Sequence, residues 1–308
     1  MKVNKFVVGG LLILAIIVSG CMSSTQSSID TRKNGGKLGV IASFYPMYDF
    51  AKNVGGDQID VKSLIPAGVE PHEYDPTPSD IMALERAQLF ILNGVIEDSW
   101  APKLIAGLDN KALKVVDTSE GIALVASMDA DEPGNDPHLW IDPVLAEKQV
   151  AAIRDSFIEA DPLGKDIYAA NAAAYIQKLK ELDGQFRSTM ASCKKKDILI
   201  THATLAYFCK EYGCNQVPIE GVNAEGEPTP AVVAAIIDQA REKNITVVFV
   251  EKLFNPKTAE VIAGEIHGKV AVFNSVHGLT EEEQKSGEDY LSQMRENINA
   301  IKQNLDCG

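Results

Sequence analysis

From Gly164 to about Ser192, the residues Ile167, Tyr168, Ala172, Tyr175, Ile176, Leu179, Leu182 and Phe186 keep to one face of a 3.6-residue period over roughly eight turns. That pattern predicts one long helix, and it divides the chain into two stretches in which β-type runs alternate with helical patterns. Ahead of it lie candidate strands at Leu38 to Ala42, Val61 to Ile65, Leu89 to Leu92 and Lys114 to Val116, a helix capped by Ser79 and Asp80 after Pro78, and a helix from Pro143 to Ala160 capped by Asp142. Behind it, the runs Ile198 to Ile200, Ile245 to Val250 and Lys269 to Phe273 alternate with helical segments at Ala203 to Tyr212, Pro230 to Lys243 and Pro256 to His267. Alternation of this kind predicts an α/β fold of two parallel-sheet lobes. A chain of 308 residues has room for both cores. A helical connector resists bending more than a coil, so any opening between the lobes is expected to be small.

The chain starts with Lys2 and Lys5, an apolar run from Phe6 to Val18, and then Ser19 and Gly20 ahead of Cys21. The run is too short for a spanning helix, which needs ~20 residues, so residues 1–20 read as a secretory signal peptide. Val18-Ser19-Gly20-Cys21 resembles the lipobox of bacterial lipoproteins, which implies cleavage before Cys21 and lipidation of its thiol. Residues 21–37, poor in apolar side chains, read as a lipid-anchored flexible tether. The remaining bounds are then 38–162 for the N-terminal α/β lobe, 163–192 for the connecting helix and 193–308 for the C-terminal lobe. Outside the cytosol, Cys193, Cys209, Cys214 and Cys307 can oxidise, and four cysteines allow three pairings.

Lys plus Arg number 29 against 43 for Asp plus Glu, a net charge of -14, which phosphate backbones repel; a nucleic-acid partner is excluded on that ground. The acidic balance fits a protein that meets cations, but on charge alone plain solubility explains it better. The histidines say more. His72 sits in a Pro-punctuated loop after a strand, His138 follows Pro137 in the loop before the Pro143 helix, and His202 follows Ile198-Leu-Ile-Thr201 directly. In open α/β sheets ligands bind beyond the carboxyl ends of strands, where His72 and His202 fall. A Pro on the amino side of His72 and of His138 restricts the backbone and favours a fixed ligand direction. Any one of these alone reads as a turn histidine, but three on the cleft side point to a site of neutral imidazoles for a metal ion. His267, at a helix end before Gly268, is explained by the helix dipole. His277, ahead of Gly278 and the capping box Thr280-Glu281-Glu282-Glu283, reads either as a residue near the cleft or as an exposed loop residue, with the exposed loop favoured. Glu225 and Glu227 lie in a loop, where either could attract cations, though solvated carboxylates are the favoured reading. Phosphate loops, nucleophile elbows and His-Glu-x-x-His motifs are missing from the sequence.

Together the motifs Glu70-Pro-His-Glu-Tyr-Asp-Pro-Thr-Pro-Ser-Asp80, Asp136-Pro-His-Leu-Trp-Ile-Asp-Pro143, Thr201-His-Ala-Thr-Leu-Ala-Tyr-Phe208, Val248-Phe-Val-Glu-Lys-Leu-Phe254 and Gly278-Leu-Thr-Glu-Glu-Glu283 resemble the zinc and manganese solute-binding lipoproteins of ABC metal-uptake transporters. The resemblance covers about Leu38 to Leu305. It implies two α/β lobes joined by a long rigid helix, a divalent ion clamped at their interface, and delivery of that ion to an ABC permease. It also implies a monomer, anchored by lipid at the extracytoplasmic face of the cell membrane. Carried over by position, His72 and His138 would be ligands from the first lobe and His202 from the second. Manganese-selective relatives often hold a carboxylate at the His202 position, so zinc is favoured and manganese is the competing ion. Where the family usually has an Asp ligand, this chain has Asn274-Ser275-Val276, which leaves Asn274, His277 or a water for the fourth position. The long His-rich loop of many zinc members is replaced by Ala126 to Asn135, with only Asp129, Asp131 and Glu132. The rival reading is a secreted three-His zinc hydrolase with an open coordination position and Glu251 as its base.

Overall fold

The computed structural model describes residues 36–94, 100–127, 134–222 and 228–308. The signal peptide, Cys21 and most of the tether lie outside the described residues, as do Asp129, Asp131, Glu132, Glu225 and Glu227. The first half runs β1 (Leu38–Ala42), α1 (Tyr45–Gly55), β2 (Ile59–Ser63), α2 (Pro78–Leu84), β3 (Leu89–Leu92), α3 (Ala101–Ala106), β4 (Lys114–Asp117) and α4 (Pro143–Ala160). The bridging helix is α5 (Lys165–Ser192). After it come β5 (Asp197–His202), α6 (Ala206–Tyr212), β6 (Asn215–Glu220), α7 (Pro230–Glu242), β7 (Val247–Val250), α8 (Lys257–Glu265), β8 (Lys269–Val272), α9 (Glu281–Ser286) and α10 (Tyr290–Asn304).

Each half holds a four-stranded parallel sheet, and the two share one topology: β2-β1-β3-β4 and β6-β5-β7-β8. The order therefore reverses between β1 and β3 in the first sheet and between β5 and β7 in the second, the places where α/β sheets open a crevice. Strands β3 and β7 are buried along their whole length, as apolar runs covered on both faces require. Three local expectations change. The second strand is Ile59–Ser63 rather than Val61 to Ile65. Helix α2 is capped by Thr77, one residue before its first-turn Pro, and the Asp80 carboxylate accepts from the Thr77 N–H at 2.6 Å. Strand β6 has no clean β-type run because Pro218 interrupts it; the sheet tolerates this Pro because β6 is an edge strand.

The apolar face of α5 packs on α4, α1 and α10, so the bridge is also the spine of the core. A continuous hydrophobic cluster runs from Phe50 and Trp140 through Tyr175 and Phe186 to Phe208, Phe249 and Phe273, crossing from one sheet's helices to the other's. Phe50 meets Tyr290 edge-on at 5.0 Å and Phe186 meets Phe208 at 5.1 Å. Two disulfides add covalent ties: Cys193–Cys307 joins the end of α5 to the residues after α10, and Cys209–Cys214 closes the turn after α6.

Asp142 caps α4 by accepting from Val144 N–H at 2.9 Å. It is buried, and Glu211 and Asp183 lie near, so burial first and then these like charges push its carboxyl up to about 7. A carboxyl raised above its unfolded value of ~3.9 makes the fold most stable where it is protonated and costs stability as pH rises through 7. Asp142→Asn keeps the cap and removes the charge. It is expected to raise the melting temperature at pH 8, by on the order of 1–2 kcal/mol in stability, and to have lost that advantage at pH 4. An unchanged melting temperature at pH 8 would show that the buried carboxylate carries no strain.

Candidate metal site

The site is assembled from loops that the fold holds from several sides. Glu70 starts a single 3-10 turn, Pro71–Glu73, in which its carboxylate accepts from the His72 backbone N–H at 3.4 Å. The His138 loop is held by Asn93, whose amide donates to Pro137 O at 2.8 Å, and by Gln149, which donates to Asn93 Oδ1 at 2.8 Å and to Thr118 at 3.0 Å. Next to His138, the Trp140 indole donates to Ser275 O at 2.7 Å while Tyr290 donates to Trp140 O at 2.6 Å. These two bonds tie the first half's loop to the second half's last loop and last helix. His202 is the final residue of β5, and Glu251 follows the last residue of β7.

Here the structure departs from the expected pattern. His277 is not an exposed loop residue: it is 2% exposed, packed against Trp140 with ring centroids 5.1 Å apart. The rings of His72, His138, His202 and His277 lie with all their centroids between 5.0 Å (His138 to His202) and 5.7 Å (His72 to His138 and to His202). Near-equal separations among four points describe a tetrahedron. One donor atom from each lies within 4.8 Å of all the others, and the Nε2 atoms of His138 and His202 are 3.2 Å apart. A tetrahedral zinc with Zn–N of ~2.1 Å needs nitrogens ~3.4 Å apart, so a small inward closure completes the geometry.

Asn274 has other work. Its Oδ1 accepts from Val276 N–H at 2.8 Å, its Nδ2 donates to Gln293, and its backbone N–H and C=O both bond the Asn297 amide at 2.7 Å. This bonding holds Val276 at φ +57°, a conformation that β-branched residues rarely adopt. The turned backbone at Val276 is what carries His277 inward. His267 lies exposed at a helix end, away from the cluster.

At three of the four rings the electrostatics favour the neutral imidazole. Burial, and then the neighbouring rings, hold His72 and His277 well below the usual histidine range. Burial also lowers His138 against the pull of Asp136, which accepts from its Nδ1 at 2.9 Å. At His202 burial acts the same way, but Glu251 outweighs it and raises the pKa. Glu251 accepts from His202 Nδ1 at 2.5 Å and from Thr201 Oγ1 at 2.6 Å. The Nδ1 atoms of His138, His202 and His277 thus face Asp136, Glu251 and Ser275, an arrangement that orients Nε2 for a metal. Phe254 stacks on His202 at 4.8 Å and covers it.

Two α/β lobes of one topology, a helical bridge and four converging imidazoles define a metal-binding protein of the two-lobed solute-receptor class. Residues 40–304 match the family described as ZnuA, zinc-uptake complex component A, periplasmic, and the chain belongs to that family. It is 36% identical over 311 residues to the high-affinity zinc uptake system protein ZnuA of Bacillus subtilis (strain 168), covering 96% of this chain and 97% of that one. It is 33% identical over 302 residues to the zinc-binding lipoprotein AdcA of Streptococcus pneumoniae (strain ATCC BAA-255 / R6), covering 94% of this chain but only 60% of the longer AdcA. The Zn(II)-bound ZnuA-like domain of Streptococcus pneumoniae AdcA superposes with a TM-score of 0.78 at 36% identity, over 88% of this chain and all of that domain. These relatives are uptake and binding proteins, and the hydrolase reading finds no support among them.

Proposed function

We propose that the protein captures zinc outside the cytoplasm and hands it to the permease of an ABC uptake system, with His72, His138, His202 and His277 as the four ligands. The observation that carries this is the tetrahedron of buried imidazoles. Four nitrogens fill a zinc coordination sphere, whereas a catalytic zinc keeps one position open for water. The set includes no carboxylate, so hard, oxygen-preferring manganese gains little from it. The relatives' zinc uptake and zinc binding support the same assignment. Cys21 anchors the chain by lipid to the extracytoplasmic face of the membrane, the residues after it act as the tether, and a single copy suffices, because one chain supplies every ligand. Each lobe contributes ligands, so release to the permease requires only that the two sets separate by a few ångströms.

Titration of the metal-free protein with zinc and with manganese against a chromophoric chelator at pH 7 tests the reading. One equivalent of zinc is expected to bind at least about 1,000-fold more tightly than manganese, following the preference of imidazole donors. Manganese binding as tight as zinc binding, or failure to bind either ion, would sink it.

A further inference from the structure

The peptide unit between Ser275 and Val276 stands just ahead of His277, and both of its polar ends are bonded. Its N–H donates to Asn274 Oδ1 at 2.8 Å, within its own loop, while its carbonyl accepts from the Trp140 indole Nε1 at 2.7 Å, from the other half of the chain. Val276 sits at φ +57°, a strained setting for a β-branched residue that persists only where its surroundings hold it. Trp140 is fixed in turn. It lies inside the single 3-10 turn Leu139–Ile141, which begins directly after His138, and its own carbonyl accepts from the Tyr290 hydroxyl at 2.6 Å. Trp140 and Tyr290 are both fully buried, and Phe44 meets the indole edge-on at 4.8 Å. The indole also packs beside two of the imidazoles: its centroid is 5.3 Å from that of His138 and 5.1 Å from that of His277, and those two are 5.3 Å from each other.

From this we infer that Trp140 is a positioning residue for one ligand of each lobe, setting His138 through the turn it occupies and His277 through the Ser275 carbonyl. Its N–H lies in the first half and its acceptor in the second, so the bond lasts only while the two halves stay together, and breaking it leaves a buried donor and a buried acceptor unmatched. The indole therefore aligns two imidazoles before the ion arrives, and parting of the lobes has to release it before the ion can leave. Ligands that are already set do not have to be ordered on binding, so loss of the bond should show chiefly as faster escape of zinc. The inference rests on the four-imidazole reading and adds to it the side chain that joins the ligands of the two lobes.

Two substitutions and a double-mutant cycle test it. Trp140→Phe keeps a buried ring and removes the N–H, while Tyr290→Phe removes only the hydroxyl that holds the Trp140 carbonyl. Zinc affinity, read by competition with a chromophoric chelator, is expected to fall about 10-fold in Trp140→Phe and about 3-fold in Tyr290→Phe. The rate of zinc loss into excess chelator should rise by the same factors, with little change in the rate of binding. In the His277→Ala background Trp140→Phe should cost much less than in the parent, since one of the two ligands it sets is gone. A merely structural role would lower the melting temperature of both variants and leave the folded protein's zinc affinity and zinc loss at parent values. That result, or costs of Trp140→Phe and His277→Ala that simply add, would overturn the inference. If circular dichroism shows that Trp140→Phe does not fold, Tyr290→Phe carries the test, and parent-like affinity and zinc loss in it overturn the inference equally. His277→Ala measured alone separates the two readings. If it binds zinc like the parent, the four-imidazole site itself falls; if it binds weakly while Trp140→Phe is unaffected, only the role of Trp140 does.

Discussion

His277→Ala is expected to lower zinc affinity by at least about 100-fold, while His267→Ala leaves it unchanged. Loss of an outer partner behind a ligand already costs about 10–100-fold in comparable sites, so loss of a ligand should cost more. The two residues separate cleanly by position: His277 is buried against Trp140 and the other three rings, and His267 sits exposed at a helix end. At 1.4 kcal/mol per tenfold, a 100-fold loss is about 2.8 kcal/mol, well outside the error of a competition titration. Because Trp140 touches both His138 and His277, its fluorescence should change on zinc binding in the parent and respond far less in His277→Ala at the same ion concentration. Equal zinc affinity in His277→Ala and parent would mean that three imidazoles and a water hold the ion, and would return the fourth position to solvent.

The sequence carries the positions of His72, His138 and His202 because each has a local cue: a preceding Pro in two cases and the end of an apolar strand run in the third. His277 has local cues of the opposite kind. Gly278 and the Thr280 capping box are surface signals, and they do describe α9, which has no buried residue. What buries His277 lies far away in the chain, at Trp140 and at the loop geometry set by Asn297 on α10. Asn274 shows the same limit from the other side. Its place after the last strand suits a ligand, but its amide is committed to Val276 and Gln293, and no sequence rule expects a valine at positive φ. The fold class was legible because period-2 and period-3.6 patterns are local, and α5 was legible because its stripe runs unbroken. Strand β6 was not, since Pro218 breaks its run and only its edge position in the sheet makes that Pro acceptable.

Removing the Cys193–Cys307 disulfide should have the largest effect on stability. The two cysteines are 114 residues apart in sequence, against 5 for Cys209 and Cys214. In the chain-entropy account the long loop corresponds to about 5 kcal/mol of stabilisation and the short one to about 2 kcal/mol. The long tie also has a structural consequence that the short one lacks. It closes a ring that runs from β5 through the whole C-terminal sheet to α10, fastening the far end of α10 to the end of the bridging helix. Backbone bonds from Lys194 to Asp306 and from Lys195 to Leu305 run beside it and would be left to hold that junction alone. For a domain of this size, about 5 kcal/mol is expected to lower the melting temperature of the Cys193→Ser, Cys307→Ser double variant by on the order of 10 °C, with a smaller drop for Cys209→Ser, Cys214→Ser. Zinc affinity at 25 °C should stay near the parent's in both, because the disulfides lie away from the four imidazoles. Zinc added to either variant should recover part of the lost melting temperature, since an ion that binds only the folded state stabilises it by mass action. Equal drops for the two pairs would show that the closed loop's length is not what matters, and that the stabilisation arises in the folded state around each bond.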